Sequence, residues 1–77
     1  MNIEILTPDE DIFKGEVDIA TFPGKDGSFG VMNNHAPMIA ALKAGDIVVK
    51  DTNGEQTFAV KGGVVEVLKN KVIVLAE

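Results

Sequence analysis

His35 is the only histidine in a chain of 77 residues that has no cysteine, tyrosine or tryptophan. Ser28 precedes it and aspartates lie nearby in sequence, so a hydrolytic triad is the first chemistry to weigh. That chemistry needs a strained nucleophile, an orienting carboxylate and an oxyanion hole. None of these has its sequence signature here. His35 therefore reads as a residue whose ring fixes a loop by hydrogen bonds, a role compatible with contact at an interface. Asp9, Glu10 and Asp11 could ligate a hard cation, but they lack the glycine and the closing glutamate of a calcium loop. A solvated turn accounts for them. Asp51-Thr52-Asn53-Gly54 looks like a fragment of such a loop, yet its Asn-Gly pair already explains itself as a hairpin turn. Gly24, Gly27 and Gly30 fit neither the dinucleotide fingerprint nor the Walker loop. They read as backbone geometry: turns, a bulge, or the close approach of another backbone. Phe29, between two of them, reads as a core anchor.

Composition narrows the function classes further. Seventy-seven residues make one small domain, which buries only ~60% of the surface its unfolded chain exposes. There is no thiol for a disulfide or a thiolate metal site, while the 45% apolar content suffices for a packed core without one. The net charge is −5, and the seven basic residues are all lysine. Phosphate contact needs a basic patch and base readout leans on arginine or stacked aromatics, so nucleic acid is excluded as a partner. The acidic balance also disfavours adhesion to anionic lipid. No apolar run approaches the ~20 residues of a membrane span, and no basic region precedes an apolar stretch at the N-terminus. A soluble intracellular protein is the default expectation.

The elements that must position these residues read as strands punctuated by turns. Met1 to Leu6 alternates Ile3 and Ile5 against Asn2 and Glu4, a period of two. Thr7-Pro8-Asp9-Glu10 imitates a helix start, but Gly15 leaves too little room, so the spacing predicts a turn or at most one helical turn. Glu16 to Phe22 alternates, with Val17 and Ile19 expected on one face. Ser28 to Met32 is a short strand. Pro37 to Ala44 suits a short helix or a buried strand, and extended structure is favoured by its β surroundings. Asp46 to Lys50 and Gln56 to Val60 flank the Asn-Gly hairpin signal. Val64 to Lys69 and Lys71 to Ala76 flank Asn70 in a second hairpin. Val72-Ile73-Val74-Leu75 is apolar on both faces, as in a central strand or one with a partner on its outer side. Short strands at close spacing make this an all-β sandwich or barrel, a single domain over residues 1–77.

Four segments together carry a resemblance: Phe13 to Asp18, Pro23 to Val31 with its glycines three apart, Asn34-His35-Ala36-Pro37-Met38-Ile39, and Leu42 to Gly45. With Gly62-Gly63-Val64-Val65-Glu66-Val67 and Val72 to Glu77, they resemble the epsilon subunit of F-type ATP synthases along the whole chain. The resemblance implies a flattened β-sandwich of about ten short strands. It implies a non-catalytic rotor subunit, without a cofactor or metal, that couples the c-ring to the gamma subunit in a proton- or sodium-translocating ATP synthase. The location implied is peripheral, at the cytoplasmic face of the bacterial inner membrane, without direct insertion. Carried over by position, Asp26, Ser28 and His35 are the candidates for contact with the polar loops of the c-ring. Many members have an acidic residue where Ser28 stands here, so the shape of the loop is expected to carry the contact in place of an ion pair. Met38, Ile39, Leu42, Val72 and Val74 are the candidates for packing against gamma. The family usually continues into two helices that can restrain hydrolysis; the sequence stops at Glu77, so no inhibitory role is carried over.

One rival comes from another class. Leu42-Lys43-Ala44-Gly45-Asp46-Ile47-Val48 resembles a turn of biotinyl or lipoyl carrier modules. Such modules display a lysine at a hairpin tip beside methionine or acidic residues, and Lys50, Lys61 and Lys69 lack that setting.

Overall fold

In a computed structural model covering residues 1–77, the chain forms nine strands and no helix. They are β1 (Asn2–Leu6), β2 (Asp11–Glu16), β3 (Ile19–Phe22), β4 (Phe29–Met32), β5 (Met38–Leu42), β6 (Gly45–Asp51), β7 (Gly54–Val60), β8 (Gly63–Leu68) and β9 (Lys71–Ala76). Two sheets stack as a sandwich. One has the order β2-β1-β9-β8-β5 and the other β4-β3-β6-β7. Every pairing is antiparallel except that of β1 with β9, which is parallel. The overall extents of 27 × 23 × 19 Å make the body only mildly flattened.

Register explains which side chains are dry. In the five-stranded sheet Ile3 pairs with Val72, Val72 with Val67, and Val67 with Met38. The next inward row runs Phe13, Ile5, Val74, Val65 and Ala40. The other sheet contributes Ala20, Phe22, Val31, Ile47, Val49 and Val60. β-branched residues suit such half-buried pleated surfaces, and no polar or charged side chain is buried among them. At one edge Phe13 leans over Gly15, whose missing side chain leaves the room, and meets Phe58 of the other sheet at a centroid distance of 5.2 Å. Near the other edge Phe22 and Phe29 lie 5.4 Å apart. Tilted aromatic pairs at these spacings add to what their burial contributes.

Several sequence expectations change. Pro37 to Ala44 holds the strand β5, as favoured. Thr7 to Glu10 is a turn closed by the Thr7 N–H donating to the Glu10 carbonyl at 2.8 Å and the Glu10 N–H donating to Thr7 Oγ1 at 3.1 Å. The strand that follows it, β2, has no counterpart in the alternation, because a register shift at Ile5/Leu6 interrupts its pairing and Gly15 contributes no side chain. The expected run from Glu16 to Phe22 is two strands. Val17 is buried where the chain crosses between sheets, and the phase resets, so that Ala20 and Phe22 face inward while Ile19 is only half-buried. The Asn-Gly hairpin turns at Thr52-Asn53, with the Asn53 N–H donating to Asp51 Oδ1 at 2.7 Å and Gly54 following at φ 138°. The second hairpin has a two-residue turn, with Lys69 and Asn70 both left-handed at φ 51° and 60°. That geometry matches the right-handed twist of the strands it joins.

Glycine is obligatory at one strand start. An added Cβ at Gly63 would lie 2.3 Å from the Leu75 carbonyl oxygen, at φ 140°. Gly63→Ala is expected to lower stability by more than the ~1–3 kcal/mol of a strained dihedral alone. Gly30→Ala is expected to be neutral or slightly stabilising, since the nearest atom to its Cβ is 3.9 Å away. Leu42→Ala, in the core, should cost ~2–5 kcal/mol, and Ile39→Ala, 71% exposed, no more than about 0.5 kcal/mol. Urea midpoints of the four variants check this order, and equal midpoints would refute it.

Candidate functional site

The segment between β3 and β4 is built on a close backbone approach. Gly24 is buried, and a Cβ there would lie 2.5 Å from the Gly27 carbonyl oxygen and 2.9 Å from the Phe29 ring. Gly24 forms an isolated bridge with Leu42 at the end of β5. The Lys25 N–H donates to the Ala41 carbonyl at 3.0 Å, and the Lys43 N–H to the Pro23 carbonyl at 2.9 Å. The base of the loop is thus fastened across the gap between the sheets. Gly27 turns the tip at φ 130°, its N–H donating to the Gly24 carbonyl at 3.1 Å. Of the three expected glycine roles, Gly24 serves the close approach and Gly27 the turn. Gly30 is an ordinary strand position opposite Thr21. Asp26 and Ser28 are exposed on the loop, and Phe29 packs half-buried against the core. Gly24, Asp26, Phe29, Met38 and Ala40 border a notch of about 410 Å³ between loop and strand.

His35 lies at the other end of β4. Its N–H donates to the Met32 carbonyl at 3.2 Å, and its Nδ1–H donates to the Ala36 carbonyl at 2.7 Å. The latter bond places a proton on Nδ1, because its partner is a carbonyl, and fixes the direction in which the ring presents Nε2. Asn34, just before it, is left-handed at φ 64°, and its N–H donates to Asn70 Oδ1 at 2.8 Å. Ser28 and His35 therefore flank β4 and do not meet, so no triad is assembled. Asp9 and Glu10 are exposed in the turn, while Asp11 is paired with Lys14 at 3.1 Å. No group of three or more His, Cys, Asp or Glu side chains gathers as a metal site would require.

The five apolar candidates divide by face. Leu42, Val72 and Val74 are at most 2% exposed and belong to the core, so their side chains have nothing to offer a partner. Met38 is half-buried on the same inward side. Ile39, on the outer side of β5, is exposed. The expectation thus needs correcting at the three core positions. Both faces of β9 are apolar, so the sequence could not say which was dry. The outer face of the five-stranded sheet carries what was missed. Ala41, Val64, Leu75 and Leu6 run across it in register; the next outward row is Ile39, Glu66, Ile73 and Glu4, and Leu68 lies one row beyond. Val64, Leu68, Leu75 and Ile39 are all exposed large apolar side chains.

The β1–β2 side of the same face is ionic. Lys14 sits 3.1 Å from Asp11 and 3.9 Å from Glu4, and Lys71 is 3.1 Å from Glu4. The hydrogen bond and charge of Asp11, and then the charge of Glu4, hold the Lys14 ammonium above its usual 10.5. Whatever stability this pairing contributes is intact below that pH and lost as the lysine deprotonates.

Lys69 does occupy a hairpin tip, beside Leu68 and Asn70, without methionine or acidic neighbours. The comparisons with known proteins lead away from a carrier module. Residues 1–77 match the family model described as ATP synthase, Delta/Epsilon chain, beta-sandwich domain. The ATP synthase epsilon chain of Caulobacter vibrioides is 36% identical over 77 residues, covering 100% of this chain and 90% of the relative. That of Maridesulfovibrio salexigens is 44% identical over 75 residues, 97% of this chain and 53% of the relative. That of Leptospira borgpetersenii is 35% identical, with 61% of the relative covered, so the chain spans little more than half the length of these last two. Among solved structures, a chain of the Euglena gracilis mitochondrial ATP synthase, in its OSCP/F1/c-ring assembly, superposes with a TM-score of 0.88 at 25% identity. The match covers 96% of this chain and 48% of that one. A chain of the Tetrahymena thermophila mitochondrial ATP synthase shares the fold, with a TM-score of 0.84 at 17% identity, over 97% of this chain and 61% of that one. With its entire length inside the family model and relatives above 30% identity, the chain belongs to the ATP synthase delta/epsilon family, as its β-sandwich domain.

Proposed function

We propose that this domain is a non-catalytic element of the central stalk of a rotary ATP synthase, passing rotation between the c-ring and the gamma subunit. The observation that carries the reading is the asymmetry of the sandwich's two outer faces. Four of its five exposed large apolar side chains, Ile39, Val64, Leu68 and Leu75, lie on the outer face of the five-stranded sheet. Such a one-sided concentration marks a surface made to be covered. Gamma is its occupant in this reading. Support comes from relatives named ATP synthase epsilon chain and from the fold match within an assembly that holds a c-ring. The domain is then peripheral to the membrane, facing the same side as the catalytic head in a bacterial cell. No helix is long and apolar enough to cross a membrane. Coupling to either protons or sodium is compatible with this mechanical role.

The ring contact runs along an edge in this reading. Asp26 and Ser28 precede β4 and His35 follows it, so a surface using all three includes the strand between. Gly30 and Met32 are the exposed side of that strand, Met32 at 62%. Close-packed interiors deform little, so the edge moves with the body.

Two variants of the assembled complex separate the surfaces. Gly30→Tyr adds bulk where the domain has open space, so the urea midpoint should hold while capture of the c-ring falls by roughly tenfold or more, about 1.4 kcal/mol. Leu75→Lys on the outer face should release gamma while leaving ring capture by the isolated subunit intact. Unchanged capture of both partners, with normal folding, would overturn the assignment.

A further inference from the structure

We infer that Asn70, at the tip of the β8–β9 turn, is a positioning residue that sets the backbone carrying His35. The turn itself does not require an asparagine side chain. Its second residue must be left-handed, at φ 60°, which glycine provides as well as asparagine. The carboxamide does something the turn cannot. Its Oδ1 accepts the Asn34 N–H at 2.8 Å across 36 residues of sequence. Asn34 is itself in the left-handed region at φ 64°, which asparagine adopts more readily than most residues, and the bond to Asn70 fixes it there.

His35 is oriented wholly from that stretch of backbone: its N–H is bonded to Met32 and its Nδ1–H to Ala36. Asn70 is anchored in turn, because its carbonyl accepts the Asn2 N–H at 3.2 Å. Asn33 is held as well, its Oδ1 accepting from the α-ammonium of Met1. The chain of contacts runs from the start of β1 through Asn70 to Asn34, and so to the imidazole. It links a turn of the five-stranded sheet to the segment leaving β4. The functional part of the inference rests on the reading in which His35 faces the c-ring.

The test uses Asn70→Gly, which permits the left-handed turn and removes the carboxamide, and Asn70→Asp, which keeps the turn and an acceptor oxygen. In the full chain, Asn70→Gly should speed amide hydrogen exchange at Asn34 by roughly five- to tenfold, the loss of one net hydrogen bond, and shift the His35 ring resonances. Asn70→Asp should leave both near the parent. In the assembled complex, Asn70→Gly should lower ring capture as far as His35→Ala does, and Asn70→Asp should restore it. Unchanged exchange at Asn34 together with unmoved imidazole resonances in Asn70→Gly sinks the positioning role. If those signals move while His35→Ala leaves ring capture intact, positioning stands and the ring contact at His35 falls.

Discussion

The parallel ladder between β1 and β9 is the interaction on which the rest of the molecule depends. It joins Asn2–Leu6 to Lys71–Leu75, the two ends of the chain, residue by residue. Without it the five-stranded sheet separates into a β1–β2 hairpin and a three-stranded β5–β8–β9 piece. Two-stranded ribbons are marginal in water, and a chain of this size without a disulfide has little core to spare. The ladder also aligns Ile3 and Ile5 with Val72 and Val74, which fills the centre of the inner face. The entropy of closing so long a loop grows only slowly with length. Its cost falls on folding speed, since non-local pairings of this kind form late.

Placing β9 at the centre has a consequence for the surface. A strand flanked on both sides, with Val72, Val74 and Ala76 inward, still carries Ile73 and Leu75 outward. With Val64 and Leu68 of β8 and Ile39 of β5 they give the five-stranded sheet a mainly apolar outer side, interrupted by Glu66 and bounded by the ion pairs of Glu4 on β1, Lys14 on β2 and Lys71 on β9. The other sheet exposes Thr21, Lys50, Glu55 and Thr57, with Met32 its one exposed large apolar residue. The two sheets are thus unequal in what they can bind, although both are built from the same alternation.

Much of this was legible in residues that act locally. Asn70 and Gly54 announce their turns because few residues accept left-handed backbone. β9 announces its centrality because nothing polar interrupts Val72 to Leu75. What was illegible depends on partners distant in sequence. β2 hides because Gly15 and a register shift break its period, and the face of β3 was misassigned because Val17 belongs to a crossover. At the candidate site, Asp26, Ser28 and His35 came from family likeness alone. The spacing of the glycines fixed a stiff loop without saying what it meets. Leu42, Val72 and Val74 were placed on the wrong side because parity cannot choose between two apolar faces.

β4 shows how a fold of this size can present a stiff edge. Edge strands are short of hydrogen bonds on one side and are the natural place for local opening. Here the strand is paired only with β3, yet the segments that lead into and out of it are each tied to the opposite sheet. Before it, where the loop leaves β3, Gly24 and Lys25 are zipped to Leu42 and Ala41. At its end, Asn34 is fastened to Asn70. Opening β4 through Asn34 therefore means breaking its ladder with β3 and the bond to Asn70 in the other sheet, which raises the free energy of the local motion. A force applied to the edge is shared by both layers of the sandwich. The polar clamps, which contribute little to the core, are what make the edge part of the body.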